Sequence, residues 1–251
     1  MHWSGWSVVM VALLFVVGEA SAKQATREKY THHGFWYGRV EMKTVDAEDF
    51  LIMPWGWTAG DREVLEDIKD CGFNMAGFLA PEHVKLAVRV GLKCIVDDPN
   101  VSRVVTDGQM SDEEIAKRVE KATARFKNNP DVYGYYVMDE PTAPLFPNLA
   151  RWAAAITKAH PGSTPYINLL PIGAQGPGSK DYEDYIEQFV SVIKPTYISY
   201  DHYTLMDDGS VRPSLYMNLE VMRKASLNHG IPFWNIVLGN SHFHYAEVTQ
   251  G

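Results

Sequence analysis

Two adjacent acids, Asp139 and Glu140, follow a strand-like apolar run in the stretch VYGYYVMDEPTAPLFPNLA, residues 132 to 150. Pro141 comes next, and a proline disfavours a helical conformation at the residue before it, which predicts an extended backbone at Glu140. A carboxyl at the tip of a strand can donate or accept a proton in a cavity, which is general acid/base chemistry. The same acid could instead cap the following helical segment, and the pattern leaves both roles open.

Other polar and aromatic residues recur just past the remaining apolar runs. A sugar site needs flat aromatic surfaces for ring faces, amides and carboxylates for hydroxyl groups, and one acid to protonate a glycosidic oxygen. We expect substrate contacts from Asp139 and from Trp55, Trp57, Asn168, Asp201, His202, Tyr203, Trp234 and Asn235, with Asn240, His242 and His244 lying beyond the last run. Asp201 could be a substrate ligand, a group that tunes Glu140, or a second catalytic carboxylate.

Seven apolar runs predict the strands that would position these residues. Several of them are apolar almost throughout, as is typical of strands that are covered on both faces. Their alternation with helical segments predicts a parallel sheet with right-handed crossovers. No glycine-rich phosphate loop follows the first run, so a closed (β/α)8 TIM barrel is favoured over an open nucleotide-binding sheet. The predicted strands span residues 50–55, 73–78, 92–97, 132–138, 164–170, 196–202 and 232–238.

Helical segments with an apolar period of 3.6 residues lie between these strands. Residues 61–72 place Leu65 and Ile68 on one face and end at Gly72, and residues 111–129 open with Ser111 and Glu114 at capping-box spacing. Three more such segments span residues 146–162, 181–194 and 213–230.

The chain supplies about seven strand–helix units and then ends in the polar tail HYAEVTQG. We therefore expect residues 50–251 to form a C-terminally incomplete (β/α)8 barrel, with residues 23–49 as a lead-in segment. Alternatively, the segment FWYGRVEM fills the missing place. An open barrel would expose an apolar edge, which favours poor solubility or pairing with a second copy.

Residues 1–22 have the pattern of a secretory signal peptide. An apolar core from Val8 to Val17 is too short to cross a bilayer comfortably, and Ala20-Ser21-Ala22 follows as a cleavage pattern. This start lacks Lys and Arg before the apolar core, so an uncleaved anchor is the alternative. We expect a secreted or periplasmic chain with no membrane contact after cleavage.

The net charge and the cysteines disfavour several classes of binding partner and of metal site. A formal net charge of −8 argues against nucleic acid and anionic membranes, because both favour a basic surface. The two cysteines, Cys71 and Cys94, are predicted to be buried free thiols. They show no spacing typical of a zinc site, and we expect no cofactor.

The stretch YYVMDEP resembles the fourth-strand motif of the clan A glycoside hydrolases. The order of the segments MPWG, DIKDCGFN, YINLLP, KPTYISYDHY and GIPFWNIVLG resembles uncharacterised secreted bacterial glycosidase-like proteins, over residues 50 to 245. The resemblance implies that Glu140 is the general acid/base, that Asp139 contacts the substrate, and that Tyr203 lies beside the nucleophile. The nucleophilic Glu of the family has no counterpart in PFWNIVLGNSH, and Glu247 is a poor geometric substitute.

The expected function is hydrolysis of O-glycosidic bonds in a poly- or oligosaccharide, with Glu140 as general acid/base. A non-catalytic carbohydrate-binding barrel, or an inactive enzyme fragment, is an alternative that predicts binding without turnover. A metal-dependent sugar isomerase or hydrolase is a third possibility, since such enzymes also place Asp, Glu and His on barrel strands. No HxH or HxxE pair stands directly at a strand end, which disfavours it; the HxH and HxxE spacings in HFHYAE, residues 242–247, lie beyond the last predicted strand.

Overall fold

The computed structural model describes residues 10–15, 31–32, 35–36, 50–104, 108–239 and 245–246 of the 251-residue chain. The strands are β1 (Met10–Phe15), β2 (Thr31–His32), β3 (Phe35–Trp36), β4 (Trp57–Thr58), β5 (Met75–Leu79), β6 (Lys93–Val96), β7 (Val132–Asp139), β8 (Thr164–Leu169), β9 (Ile198–Asp201) and β10 (Phe233–Leu238). The helices are α1 (Arg62–Asp70), α2 (Val84–Val90), α3 (Asp112–Thr123), α4 (Phe146–Ala159), α5 (Tyr182–Ile193) and α6 (Leu215–His229).

Seven strands, β4 to β10, run parallel, and each pairs with the next along the chain. With the six helices they form an incomplete (β/α)8 barrel, which confirms the predicted fold class. The strands β2 and β3 form a separate antiparallel pair. Because parallel strands of a barrel end on one face, the residues just past β4 to β10 share that face.

The strand β1 pairs antiparallel with β10, from Met10 opposite Leu238 to Phe15 opposite Phe233. Among the described residues, β1 therefore occupies the edge of the last parallel strand, while β4 forms the other end of the sheet. The expected poor solubility or pairing with a second copy stays a prediction. The residues of β1 belong to the apolar core of the predicted signal peptide, whose cleavage stays a prediction. Within the part of the chain that the structure describes, no helix is long and apolar enough to span a membrane.

Two apolar clusters cover the two faces of the sheet, which explains why several strands are apolar almost throughout. The smaller cluster fills the barrel interior with Leu51, Met53, Met75, Phe78, Ile95, Tyr136, Tyr166, Tyr197 and Trp234. The larger cluster lies between the sheet and the helices and includes Trp152, Phe146 and Tyr185.

The first parallel strand lies further along the chain than predicted. Residues 50–55, predicted as the first strand, do not form one. The first parallel strand is β4, which has only two residues, Trp57–Thr58. Residues 50–52 are held instead by the Asn74 side chain, which accepts the Ile52 N–H (2.8 Å) and donates to the Phe50 carbonyl (2.7 Å). Pro54 is the one bridge residue of this run.

Local sequence signals are mostly confirmed at the helix ends. Ser111 and Glu114 form the predicted capping box at the start of α3, and Gly72 follows α1 with a positive φ of 88°. The seven-residue helix α2 was not predicted, because its short run VKLAVRV lacks a long periodic pattern. Both cysteines are free; Cys94 is buried as predicted, but the prediction of burial is wrong for Cys71, which is exposed at the end of α1.

Candidate active site

The carboxyl ends of β7, β8 and β9 bring three of the predicted site residues together. Asp139, the last residue of β7, lies opposite Asn168 of β8, and Asn168 lies opposite Ser199 of β9. Asp201 is the last residue of β9 and is buried. These side chains lie close together because the parallel strands of a barrel end on one face.

Asn168 bonds the carboxyls of both aspartates and the backbone of Glu140. Its side-chain nitrogen Nδ2 donates to Oδ1 of Asp139 at 3.1 Å and to Oδ1 of Asp201 at 2.9 Å. Its backbone carbonyl accepts the N–H of Glu140 at 2.9 Å. An amide nitrogen has two hydrogens, and both are used here. Asn168, predicted as a substrate ligand, is therefore placed as the residue that joins the acids.

A chain of hydroxyl groups fixes which way the Asn168 amide points. Ser199 Oγ donates to Asn168 Oδ1 at 3.0 Å, so the NH₂ group must face the two carboxyls. The Tyr166 hydroxyl lies 3.0 Å from the same Ser199 Oγ, and it is the donor there because the Ser199 hydrogen is already used. Ser199 and Tyr166 were not among the predicted site residues. Their two-residue spacing from Asp201 and Asn168, which puts them on the same strand faces, was the available signal.

Burial raises the pKa of both aspartates. The pKa of Asp201 rises to about 7, first because of burial and then because of the negative charge of Glu140, while the Asn168 hydrogen bond lowers it in part. The pKa of Asp139 rises to about 6, again mainly because of burial, against the lowering effect of Asn168. The site therefore holds protons close to neutral pH, as acid/base catalysis requires.

Glu140 has a left-handed backbone, with φ of 48°. The expected extended conformation is wrong, because the Glu140 N–H turns to bond the Asn168 carbonyl while Pro141 becomes buried. A non-glycine residue in this region is strained by on the order of 1–3 kcal/mol, and such strain clusters at functional sites. The side chain is exposed, and partial burial raises the pKa of its carboxyl.

The helix-capping alternative for Glu140 finds no support in the structure. The helix α4 begins at Phe146, its N-cap residue is Leu145, and a short 3-10 turn with N-cap Thr142 precedes it. Neither cap is Glu140. The turn after Glu140 is held from α5, since the Tyr185 hydroxyl donates to the Pro141 carbonyl at 2.6 Å.

The residues that follow Asp201 point in different directions. Tyr203 is half-buried, contacts the Tyr245 ring edge-on at 5.4 Å, and has its pKa raised by burial and by the charge of Asp201. His202 is buried on the other side, where its Nε2 lies 2.9 Å from Ser214 Oγ, and burial lowers its pKa. The structure thus places Tyr203 near the acids and His202 away from them.

The predicted aromatic ligands differ in exposure. Trp57 is 59% exposed, whereas Trp55 packs edge-on against the Phe78 ring at 5.2 Å. Trp234 is 1% exposed and stacks on the Tyr197 ring at 4.6 Å, so its faces are used by the barrel core. Asn235 is buried and, one residue after Trp234, turns to the opposite face of the sheet, away from the acids.

Arg103 is a neighbour of the site that the sequence analysis missed. It has a left-handed φ of 59°, its guanidinium bonds both oxygens of Asp97 (2.8 and 3.3 Å), and it lies 4.9 Å from the Tyr136 ring centre. Its backbone N–H bonds the Val137 carbonyl of β7. The positive charge lowers the pKa of Asp139. Nothing in the loop sequence indicates this placement.

No group of three or more His, Cys, Asp or Glu side chains that could hold a metal ion occurs among the described residues. Asn240, His242, His244 and Glu247 lie outside the described residues.

No protein-family model matches the chain, and the search of curated proteins gives no match. Solved structures match by fold. A β-mannanase from the blue mussel Mytilus edulis is 12% identical, with a TM-score of 0.50 over 74% of this chain and 72% of that one. The endoglucanase Cel5A of Thermotoga maritima is 14% identical, with a TM-score of 0.48 over 69% and 70%.

The endoglucanase Cel5A of Pseudomonas stutzeri is 17% identical, with a TM-score of 0.42 over 69% of this chain, which spans 66% of that enzyme's length. These solved neighbours are clan A glycoside hydrolases. The sheet topology and the likeness to the mussel structure together show that the chain has their barrel fold, in an incomplete (β/α)8 form.

Proposed function

We propose that the chain is a glycosidase that hydrolyses O-glycosidic bonds of a poly- or oligosaccharide, with Glu140 as general acid/base. The observation that carries this proposal is the convergence of Glu140, Asp139 and Asp201 around Asn168 at the carboxyl face of the barrel. Glycoside hydrolysis needs one carboxylic acid to protonate the leaving oxygen and a second carboxylate nearby.

Exposure and acidity support Glu140 as the proton donor. Its side chain is the exposed member of the three acids, so it can reach a bound sugar, while Asp201 is 6% exposed. Partial burial raises the pKa of its carboxyl, which is the direction that a general acid requires. The strained backbone holds the carboxyl at the tip of β7 instead of in a helix.

Sugar binding is assigned to the predicted ligands that stay accessible. Asp139 is half-buried, and Asn168 fixes its carboxyl at the end of β7. Tyr203 and the exposed ring of Trp57 offer aromatic surfaces for sugar faces. Trp55 and Trp234 support the site through packing in the barrel interior.

A non-catalytic carbohydrate-binding barrel is the second candidate. The observation in its favour is that β10, Phe233–Leu238, carries no acid, although the resemblance implies a catalytic Glu at that strand end. Such a protein would bind sugar through the same face without turnover.

One experiment separates the two functions. The full chain is incubated with β-mannan, cellulose and xylan, the substrate types suggested by the names of its structural neighbours, and reducing ends and binding heat are measured. We expect turnover of at least one polysaccharide, unchanged by a chelator. Binding without release of reducing ends would support the second candidate, and loss of activity to the chelator would support a metal-dependent enzyme.

A further inference from the structure

The segment that follows β9 folds into a small sheet beside the site. Residues 204–212, here named the β9 hairpin, form an antiparallel pair in which the Arg212 N–H donates to the Thr204 carbonyl at 2.8 Å. The first arm of this hairpin also pairs with a later segment, with Met206 opposite Tyr245. These backbone bonds hold the side chains of the hairpin in place at the carboxyl end of β9.

The two faces of the β9 hairpin carry different side chains. Residues directly opposite each other in an antiparallel pair share a face, and neighbours along a strand alternate. Leu205 and Val211 are opposite each other on one face and are 51% and 50% exposed. Arg212, the next residue, therefore lies on the other face. There its guanidinium lies over the Tyr245 ring, 5.4 Å from the ring centre.

Tyr203 connects this face of the hairpin to the acids of the site. Its ring meets the Tyr245 ring edge-on at 5.4 Å. Burial, and then the negative charges of the three site acids, raise the pKa of Tyr203, so its hydroxyl lies close to those acids. Arg212 and Tyr203 thus contact the same ring, which places the guanidinium at the border of the proposed sugar site.

Arg212 is a half-buried cation without a carboxylate partner in the part of the chain that the structure describes. Arg103, the other arginine near the acids, differs because its guanidinium bonds both oxygens of Asp97. A guanidinium is always charged, and its planar set of N–H donors matches the oxygens of an anionic group. The site therefore has one positive group ready for an anion.

We propose that Arg212 binds a negatively charged substituent of the substrate, a carboxylate or a sulfate ester, on a sugar close to the bond that is cleaved. The substrate class is then an acidic poly- or oligosaccharide. The proposal rests on the glycosidase function argued above and adds the charge of the substrate to it.

The acidic character of the chain does not oppose this binding. Charges further apart than about 8 Å are largely screened at physiological salt, so one nearby cation decides the binding of one charged sugar. Below about pH 6 the Asp139 and Asp201 carboxyls are mostly protonated, because their pKa values are raised to about 6 and about 7, and they then repel an anion less. Asp207 and Asp208 lie at the exposed tip of the hairpin, where water and salt screen them.

The first test measures binding by the unmodified full chain, so it does not depend on turnover. Calorimetry compares glucuronoxylan with unsubstituted xylan, which lacks the carboxylates, and κ-carrageenan with its desulfated form. We expect the acidic member of at least one pair to bind at least about 10-fold more tightly than the neutral member, and the difference to shrink at high salt. The pair that shows the difference identifies carboxylate or sulfate. Equal binding within both pairs, or binding of none of the four polymers, would overturn the proposal.

The second test compares Arg212→Gln with Arg118→Gln. Arg118 is also half-buried and, among the described residues, forms no ion pair, but it lies in the middle of the outer helix α3. We expect Arg212→Gln to lose about 10- to 100-fold in affinity for the acidic polymer and to bind the neutral polymer as the unmodified chain does. Arg118→Gln should keep the preference for the acidic polymer.

A lysine variant checks the chemistry of the contact. We expect Arg212→Lys to recover part of the preference, because lysine keeps the charge but lacks the planar set of donors. A preference that survives Arg212→Gln, or an equal loss of affinity for the acidic and the neutral polymer, would contradict a charge-specific role of Arg212.

The role of Arg212 and the glycosidase function fail differently in these tests. If the chain releases reducing ends from acidic and neutral polymers equally well, the glycosidase function stands and the role of Arg212 falls. If the acidic polymer binds through Arg212 but no reducing ends appear, the role of Arg212 in binding stands and the hydrolytic function falls.

Discussion

Asn168 binds two carboxyl groups at once, with its amide nitrogen 3.1 Å from Asp139 and 2.9 Å from Asp201. The two aspartates belong to strands on either side of it, β7 and β9. A single buried amide thus holds two acids that would otherwise repel each other. The protonation of both aspartates therefore depends on one side chain of the barrel wall, that of Asn168.

Replacing Asn168 with Ala is expected to raise the pKa of both aspartates further. The amide hydrogen bonds favour the charged carboxylates, and their loss favours the neutral forms. Carbon-13 NMR titration of labelled Asp carboxyls measures this directly. Asn218→Ala is the matched control, because Asn218 is an equally buried amide that bonds Ile172 and Tyr182 instead. Unchanged aspartate titrations in Asn168→Ala would refute the role of the amide.

The raised pKa of Asp201 makes a prediction about stability and pH. Its folded pKa of about 7 lies above its ordinary value of 3.8, so the folded state keeps a proton that the unfolded chain has lost. Its contribution to stability is therefore full below about pH 4 and is lost as the pH rises to about 7. We expect Asp201→Asn to gain melting temperature relative to the unmodified chain between pH 4.5 and pH 8. If the melting temperatures of the two chains changed equally with pH across this range, the raised pKa of Asp201 would be contradicted.

Glycine at position 140 should be more stable than alanine at the same position. The left-handed backbone of Glu140 suits glycine, whereas a Cβ atom costs about 1–2 kcal/mol there. Both variants remove the carboxyl, so the comparison isolates the backbone. Urea unfolding of Glu140→Gly and Glu140→Ala measures the difference in free energy of unfolding. An alanine variant as stable as the glycine variant would mean that this residue is not left-handed.

Removal of residues 1–22 is expected to expose the edge of β10. The six residues of β1 pair with the whole of β10, and an unpaired strand edge invites association with another chain. We expect the shortened chain to melt at a lower temperature or to elute as a dimer at high concentration. A shortened chain that stays monomeric with an unchanged melting temperature would show that β1 does not support the sheet. Mass spectrometry of the exported chain would show whether cleavage after Ala22 occurs.

The sequence predicted the parts of the fold that depend on local pattern. The apolar runs before Asp139 and Asn168 became β7 and β8, and their order implied that the strand ends meet. The capping box at Ser111 likewise needs only residues three positions apart. The fold class followed from the same alternation of strands and helices.

Contacts between strands could not be predicted in the same way. The role of Asn168 depends on its register against Asp139 and on the Ser199 hydroxyl that turns its amide, and neither is visible in one strand alone. Trp234 was predicted as a sugar-stacking residue, but it lies inside the last apolar run and its position on the strand places it in the core. The left-handed backbone at Glu140 arises from a hydrogen bond to the next strand, which opposes the local preference set by Pro141.

The most direct measurement compares Glu140→Gln with the unmodified chain on aryl glycosides whose leaving groups differ in acidity. A general acid matters most when the leaving oxygen is basic and least when it departs unaided. We expect Glu140→Gln to lose at least about 10²-fold in kcat/KM on alkyl glycosides and polysaccharide while retaining most activity on dinitrophenyl glycosides. Equal activity of the two chains on polysaccharide would contradict the assignment of Glu140 as the general acid.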